Sequence, residues 1–323
     1  MQAIEAISQN YVDSAKLIRF QFIADALLKR LEKDDDQEEE EEEFKEEEEK
    51  SRYDVEIARE ALRRAGEICK RGGTRNAEIF KSIRERKIKL KELRGGGDVN
   101  MDDNGGGGEE EEEGEDFVEN WSRQMDLENQ NERKRLDEGL TSSKASSLKE
   151  SIRLAHNDLG DYYYNIGDLK EAFQCYAKSR EYGTSVKHTL ALCVNSIRVA
   201  LELNSMAQVL LYANKGLAIL KNVDQQSAAG ETEKKMAQRP SIIQQAGGGI
   251  EGIGGAGENK EEQNLTRAKF TCAAALAHLH FGKYAEAAKH FTSLKTEIGN
   301  SYAEVISQQD VAVYGGLCAL ATF

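Results

Sequence analysis

The sequence predicts an all-α protein: an α-solenoid of tetratricopeptide-like antiparallel helix pairs, interrupted by disordered acidic and glycine-rich inserts. Apolar residues recur at three- and four-residue spacing along most of the chain, which is the period of an amphipathic helix. The 323 residues include a single proline, and 32% of them are charged. A helix-pair pattern also occurs twice, as is typical of repeat proteins. These observations argue against an all-β fold.

Two helical regions come first along the chain. Residues 1–31 have apolar side chains at helical spacing and predict an amphipathic helix or helix pair. Residues 53–94 return to this spacing, and Gly72 and Gly73 interrupt it. The second region therefore predicts an antiparallel pair of helices.

Three low-complexity inserts separate the predicted helical regions, at residues 32–52, 95–116 and 222–264. Positions 32–49 hold 14 acidic residues and two lysines, and positions 109–116 hold 7 acidic residues and no base. These two tracts therefore have a net charge of −19 and the rest of the chain +5. Such segments bury little apolar surface, so we expect them to be disordered, with a solvated helical extension as the alternative for the first. We interpret the acidic tracts as solubilising linkers; binding of histones or basic tails is the alternative.

The remaining helices are predicted after the second insert. One long amphipathic helix is expected from Phe117 to about Leu140, with a polar break over 142–147 and further helices on both sides of the third insert. The predicted organisation is 1–31, N-terminal helices; 32–52, acidic insert; 53–94, helical pair; 95–116, glycine-rich and acidic insert; 117–221, helical repeats; 222–264, low-complexity loop; and 265–323, helical repeats.

The helix-pair pattern is clearest in the run LGDYYYNIGDLKEAFQCYAKS, residues 159–179. Small residues in it allow two helices to approach closely, large ones fill the space around that contact, and a glycine makes the turn. Such a hairpin cannot bury its apolar face alone and must stack on neighbours. The predicted structural positions are Leu159, Gly160, Tyr163, Gly167, Ala172 and Tyr176.

The same intervals recur near the C-terminal end. Gly282, Ala287 and Phe291 repeat the spacing of the turn glycine, the small residue and the large residue, and Ala275 takes the position of the first glycine. Between the two matches, residues 188–220 predict a helical pair with a looser pattern.

Few residues suggest chemistry. His278 and His280 form an H-x-H pair, as in a metalloprotease centre. Such a centre also needs a serine and an aspartate at set distances after the pair, and those two positions are occupied here by Lys289 and Thr292. Neighbours i and i+2 of a helix also point to different faces. We therefore predict no catalytic, cofactor-binding or metal-binding residue, and we interpret the histidines as packed or surface side chains.

Three other features have simpler structural interpretations. Gly252, Gly254 and Gly257 match G-x-G-x-x-G, but no strand precedes them, so a flexible linker is the preferred interpretation. The basic run 84–94 interleaves charges with aliphatic residues and lacks aromatics for base stacking, which favours a solvated helix face over a nucleic-acid site. The five widely spaced cysteines are interpreted as reduced, packed thiols of an intracellular protein. No run reaches the ~20 apolar residues of a membrane-spanning helix.

Residues 148–201, from LKESIRLAHNDLGDYYYNIGD onward, resemble the helical-repeat half of the COP-9 signalosome subunit 1 family, as does VAVYGGLCALATF at 311–323. The run at 7–25 agrees more loosely. A proteasome-lid subunit family has the same build, and CYAKSREYGTSVKH at 175–188 is more similar to the signalosome version. In the signalosome family the repeats lead into a winged-helix module, and the repeats and this module together form the PCI domain. This chain stops at about that point, so we expect it to be a fragment or a truncated product.

The resemblance implies a non-catalytic scaffold. Its expected partners are other signalosome subunits and cullin-RING ligase components, with no nucleic acid, no membrane and no cofactor, in the nucleus and cytoplasm. In the family, the complex removes the ubiquitin-like modifier Nedd8 from cullins, and the metalloprotease centre belongs to another subunit. A scaffold subunit of the proteasome lid is the alternative, and an enzyme using the histidine pair or a cysteine is a third hypothesis.

Overall fold

A computed structural model describes residues 2–34, 44–72, 74–93, 115–237, 256–294 and 301–322. All regular elements in these ranges are helical, which confirms the predicted fold class. The α-helices of the described ranges are α1 (Gln2–Asn10), α2 (Asp13–Asp34), α3 (Phe44–Lys70), α4 (Ala77–Leu93), α5 (Glu115–Ser146), α6 (Lys149–Ile166), α7 (Leu169–Ser179), α8 (Val186–Glu202), α9 (Met206–Ala237), α10 (Ala256–His280), α11 (Tyr284–Ser293) and α12 (Gln308–Thr322). A short 3-10 helix, Arg180–Tyr182, follows α7.

Several helix ends differ from those expected. Helix α3 begins at Phe44, inside the first insert, and α9 and α10 extend into the third insert as far as Ala237 and Ala256. Glutamate, lysine and alanine have high helix propensity, so adding turns to an existing helix is easier than starting a new one. The expected disorder of the remaining insert residues, 35–43, 95–114 and 238–255, falls outside the described residues and stays a prediction.

Helix α5 also continues through the serines at 142–146, where the sequence predicts a polar break. The preceding turns contain an ion pair between Arg133 and Asp137, and the Thr141 hydroxyl donates to the Asp137 carbonyl at 2.9 Å. The helix is broken only at the last residue of the predicted segment, Ser147, whose φ is +56°.

The first of two compact units comprises the described parts of 1–145 together with 161–168 and 303–305. Helices α1 to α4 enclose one apolar core. At the end of this core, Trp121 of α5 meets Phe80 of α4 edge to face, with ring centroids 4.8 Å apart. Burial of apolar surface is thus the main force that holds these helices together.

Ion pairs between helices add direction to this packing. Arg86 of α4 binds Asp25 of α2 through two hydrogen bonds of 2.5 and 2.9 Å, and Arg30 of α2 pairs with the largely buried Asp54 of α3 at 2.9 Å. The bidentate contact with Asp25 raises the pKa of Arg86. Such forked contacts fix the relative positions of two helices more specifically than apolar contacts do.

The second unit comprises the described parts of 146–160, 169–302 and 306–323. Its core lies between α8, α9 and α10, and α11 packs against both α10 and α12. Helix α10 contributes several fully buried small residues, and small side chains allow neighbouring helices to approach closely. These residues are Cys272, Ala273, Ala274, Ala275 and Ala277.

Candidate protein-interaction scaffold

Three helix-to-helix turns share one backbone geometry. Gly167, Asn204 and Gly282 adopt left-handed conformations with φ of 88°, 53° and 69°. In each turn the N–H of this residue donates to the carbonyl three residues earlier, and the next N–H donates to the carbonyl five residues earlier, at 2.9–3.1 Å. This Schellman motif satisfies carbonyl groups at the helix end and sets where the next helix begins. The same turn therefore ends α6, α8 and α10.

Gly160 of α6 lies against the ring of Tyr176 of α7. A Cβ atom at position 160 would be 2.5 Å from Cε1 of that ring, closer than atoms in contact allow. Tyr176 is fully buried, and its hydroxyl accepts a hydrogen bond from Arg198 of α8 at 3.0 Å. Leu159 and Ala172 are buried as well. The contact therefore sets the spacing of the first hairpin and connects it to the following helix.

Two neighbouring tyrosines of α6, Tyr162 and Tyr163, differ in burial, and the role of Tyr163 beside the glycine contact stays a prediction. Tyr162 is the buried one, and its hydroxyl donates to the Asn129 carbonyl at 2.8 Å. Burial raises the pKa of Tyr162. Tyr163 is half-buried beside it, with the Arg133 guanidinium 5.9 Å from its ring centroid. One step along a helix rotates a side chain by about 100°, which explains the difference.

The C-terminal match also has its predicted residues at helix contacts. Ala287 and Phe291 are buried on α11, and Ala275 is buried on α10. Phe291 faces α12, where a Cβ atom at Gly315 would be 3.1 Å from the Phe291 Cβ. The large residue of this hairpin thus packs against the next helix along the chain.

A third copy of the repeat lies between these two, where the sequence predicts a helical pair with a looser pattern but does not identify its turn. Asn204 takes the place of the turn glycine, Val209 and Ala213 follow at the same five- and nine-residue intervals, and Ile197 precedes it by seven. All three apolar residues are buried to 99% or more. The available signal was an asparagine at the turn, since asparagine tolerates the left-handed conformation better than most residues.

A second glycine contact was also missed. A Cβ atom at Gly216 of α9 would collide with the ring of Phe270 of α10, which is fully buried. Both residues lie outside the repeated intervals, so spacing alone could not identify them.

The histidines do not form the pair expected of an H-x-H centre. His278 stacks on His290 of α11, with ring centroids 5.4 Å apart and planes within 7° of parallel, and His280 is exposed. Burial, and secondarily the charge of His278, lower the pKa of His290. Lys289 and Thr292 are exposed. In the part of the chain that the structure describes, no three His, Cys, Asp or Glu side chains are grouped so as to hold a metal ion.

The basic run has a packing role in the first unit. In and next to this run, Ile83 and Leu90 of α4 are buried. Arg86 binds Asp25, and Lys89 pairs with Glu32. Within the glycine-rich run, Gly257 lies in the first turn of α10, and Gly252 and Gly254 fall outside the described residues.

All five cysteines are buried, and none of them forms a disulfide. Burial raises the pKa of Cys193 and raises that of Cys272 to about 12. A thiolate is the reactive form of cysteine, so these thiols are poor nucleophiles. No helix in the described ranges combines the length and apolar character that crossing a bilayer requires.

The repeated turns and small-to-large contacts define a helical-repeat protein, in which the singled-out residues shape the framework. The chain belongs to the family of 26S proteasome subunit RPN7, whose family model matches residues 119–323. The chain is also similar to proteins called COP9 signalosome complex subunit 1, which confirms the resemblance found in the sequence.

Three such relatives illustrate the similarity. The protein from Arabidopsis thaliana is 34% identical over 203 residues, covering 63% of this chain and 37% of the relative. Subunit 1b from Drosophila melanogaster is 37% identical over 189 residues, covering 58% and 30%. The Emericella nidulans protein is 31% identical over 189 residues, with the same coverage. The chain spans about a third of the length of the curated relatives it matches.

Proposed function

We propose that this chain is a non-catalytic scaffold subunit of a COP9 signalosome, supporting removal of Nedd8 from cullin-RING ubiquitin ligases through protein–protein interactions. The observation that carries the proposal is the similarity of the repeat region to relatives named COP9 signalosome subunit 1. The proposed partners are other signalosome subunits and cullin-RING ligase components, in the nucleus and cytoplasm. In this proposal the metalloprotease activity belongs to another subunit.

The physical basis of this role is geometric. Stacked helix pairs form a stiff framework, and a stiff framework holds binding surfaces at fixed separations. The glycine contact at Gly160 and the repeated turns supply such stiffness within single hairpins. Affinity then comes from surface side chains on the framework.

A scaffold subunit of the proteasome lid is the second candidate. It is supported by the family model of 26S proteasome subunit RPN7, which matches residues 119–323. The two candidates share a fold and differ in the assembly that contains the chain.

Affinity purification of the tagged full-length protein from its own cells separates these candidates. We expect signalosome subunits in stoichiometric amounts, together with Nedd8 removal from a neddylated cullin. Proteasome subunits in their place would support the second candidate. Nedd8 removal by the isolated chain, or stoichiometric zinc in it, would contradict the non-catalytic role.

A further inference from the structure

We propose that the outward faces of α7 and α9 form a basic docking surface for an acidic segment of a partner protein. This four-lysine surface consists of Lys170 and Lys178 on α7 and Lys215 and Lys221 on α9. The inference rests on the proposed function, because it assigns one binding surface to the scaffold and states the chemistry of its partner.

The two helices contact one another in the second unit through a pair of aromatic rings. Phe173 of α7 meets Tyr212 of α9 edge to face, with ring centroids 6.0 Å apart. Both helices follow the same Schellman turn and begin two residues after its left-handed residue. Lys178 and Lys215 each lie eleven residues after that residue, so they occupy equivalent positions along the two helices.

The lysines of this surface are accessible and lack ion-pair partners. Lys170, Lys178 and Lys221 are exposed and Lys215 is half-buried. Among the residues that the structure describes, no carboxylate lies within 4.0 Å of any of the four amines. None of the four amines is therefore held in an ion pair by that part of the chain, and neighbouring like charges add to one local potential.

Two carboxylates of these helices have other hydrogen-bonding partners. Glu171 of α7 accepts a hydrogen bond from Gln174 at 3.4 Å, and Asp224 of α9 pairs with Arg267 of α10 at 2.6 Å. By contrast, many bases of the first unit are paired within or between its helices, as Arg63 is with Glu60 at 2.7 Å. The four lysines of this surface have no such ion-pair partner among the described residues.

The side chains around the lysines favour a protein segment over nucleic acid. Nucleic-acid surfaces of this kind offer aromatic rings on which bases stack, but Phe173 and Tyr212 are half-buried against one another. The exposed neighbours are instead Gln174, Asn214 and Leu211, which is 64% exposed. Amides and one aliphatic side chain among lysines suit a segment rich in aspartate and glutamate with an occasional apolar residue.

The test measures binding of a fluorescein-labelled peptide of ten glutamates to the full-length chain by fluorescence anisotropy. We expect Lys178→Glu/Lys215→Glu to weaken binding by roughly tenfold at low salt, and higher salt to weaken wild-type binding. The matched control is Lys187→Glu/Lys283→Glu, which changes two exposed lysines of the same unit on other elements, in α8 and at the start of α11. The control should bind the peptide like the wild type.

Several outcomes would overturn the proposal. These are equal weakening in both variants, no measurable peptide binding, and tighter binding of a ten-nucleotide oligothymidine that depends on the same two lysines. Far-UV circular dichroism checks that each variant is folded, and Lys178→Ala/Lys215→Ala should bind with intermediate affinity.

A carbodiimide, which joins a carboxylate to an adjacent amine, locates the contact. We expect links from the peptide to Lys178 and Lys215; links from these lysines to the acidic run 109–113 of the chain itself would contradict a partner-binding role. Peptide binding without signalosome subunits in the purification would contradict the proposed assembly but not the docking surface. Normal assembly without peptide binding would contradict the docking surface but not the proposed assembly.

Discussion

The ring of Tyr176 occupies the space that any side chain at Gly160 would need, so these two residues determine how closely α6 and α7 approach. Tyr176 is held from its other end by Arg198, which donates to its hydroxyl. A buried ring that is fixed at both ends has little freedom to move aside. This contact is therefore a sensitive point of the framework.

Gly160→Leu should destabilise the protein, because the added side chain overpacks this contact. The expected loss is at least ~1–3 kcal/mol of unfolding free energy. Gly139→Leu is the matched control, since a Cβ atom at that helical glycine meets nothing within 4 Å and leucine favours a helix. Thermal unfolding followed by circular dichroism compares the two, and equal melting temperatures would contradict the helix pairing.

Asn204→Val should destabilise the turn between α8 and α9. A β-branched residue with φ near the observed 53° is strained by about 1–2 kcal/mol. Asn204→Gly should retain or slightly raise the stability, because glycine adopts this conformation without strain. Urea unfolding of both variants measures the difference, with Asn214→Val on the exposed side of α9 as the control. A stable Asn204→Val protein would argue against equivalence of the three turns.

Glu60 should contribute to the loss of stability in acid. The hydrogen bond from Arg63 foremost, and that from Arg64, lower its pKa from 4.5 to about 2 against the opposing effect of burial. The unfolded chain therefore takes up this proton at higher pH than the folded chain does. The stabilisation is complete above about pH 4.5 and is lost as the pH falls toward about 2.

Glu60→Gln should make stability less dependent on pH in that window. Urea midpoints measured between pH 2.5 and 6 give the slope, and Glu78→Gln, at an 82% exposed side chain, is the control. Parallel pH profiles for wild type and Glu60→Gln would show that the arginine pair does not stabilise the fold through this carboxylate.

The cysteines should be protected in the native protein. All five are buried, and the pKa of Cys272 is raised to about 12 by burial. At pH 8 we expect slow reaction with Ellman's reagent, limited by opening of the fold, and rapid reaction of all five thiols in guanidinium. Rapid reaction of a native thiol would identify an exposed cysteine and contradict the packing described here.

Much of the framework was predictable because its signals are local. The turns at Gly167 and Gly282 were identified from glycine followed by small and large residues at fixed intervals. The turn at Asn204 was not, although its hydrogen bonds are the same. Backbone geometry recurs there with a different side chain, and spacing rules that depend on glycine cannot detect such a substitution.

By itself, the sequence determined that the chain is helical, where most helices lie and which of its residues repeat. These properties depend on the conformational preferences and spacing of residues close together in the chain. Only the tertiary structure decided that Tyr162 is buried, that Gly216 meets Phe270 and that Lys178 and Lys215 occupy equivalent positions on neighbouring helices. Those relationships depend on the rotation and packing of whole helices, which distant parts of the chain set together.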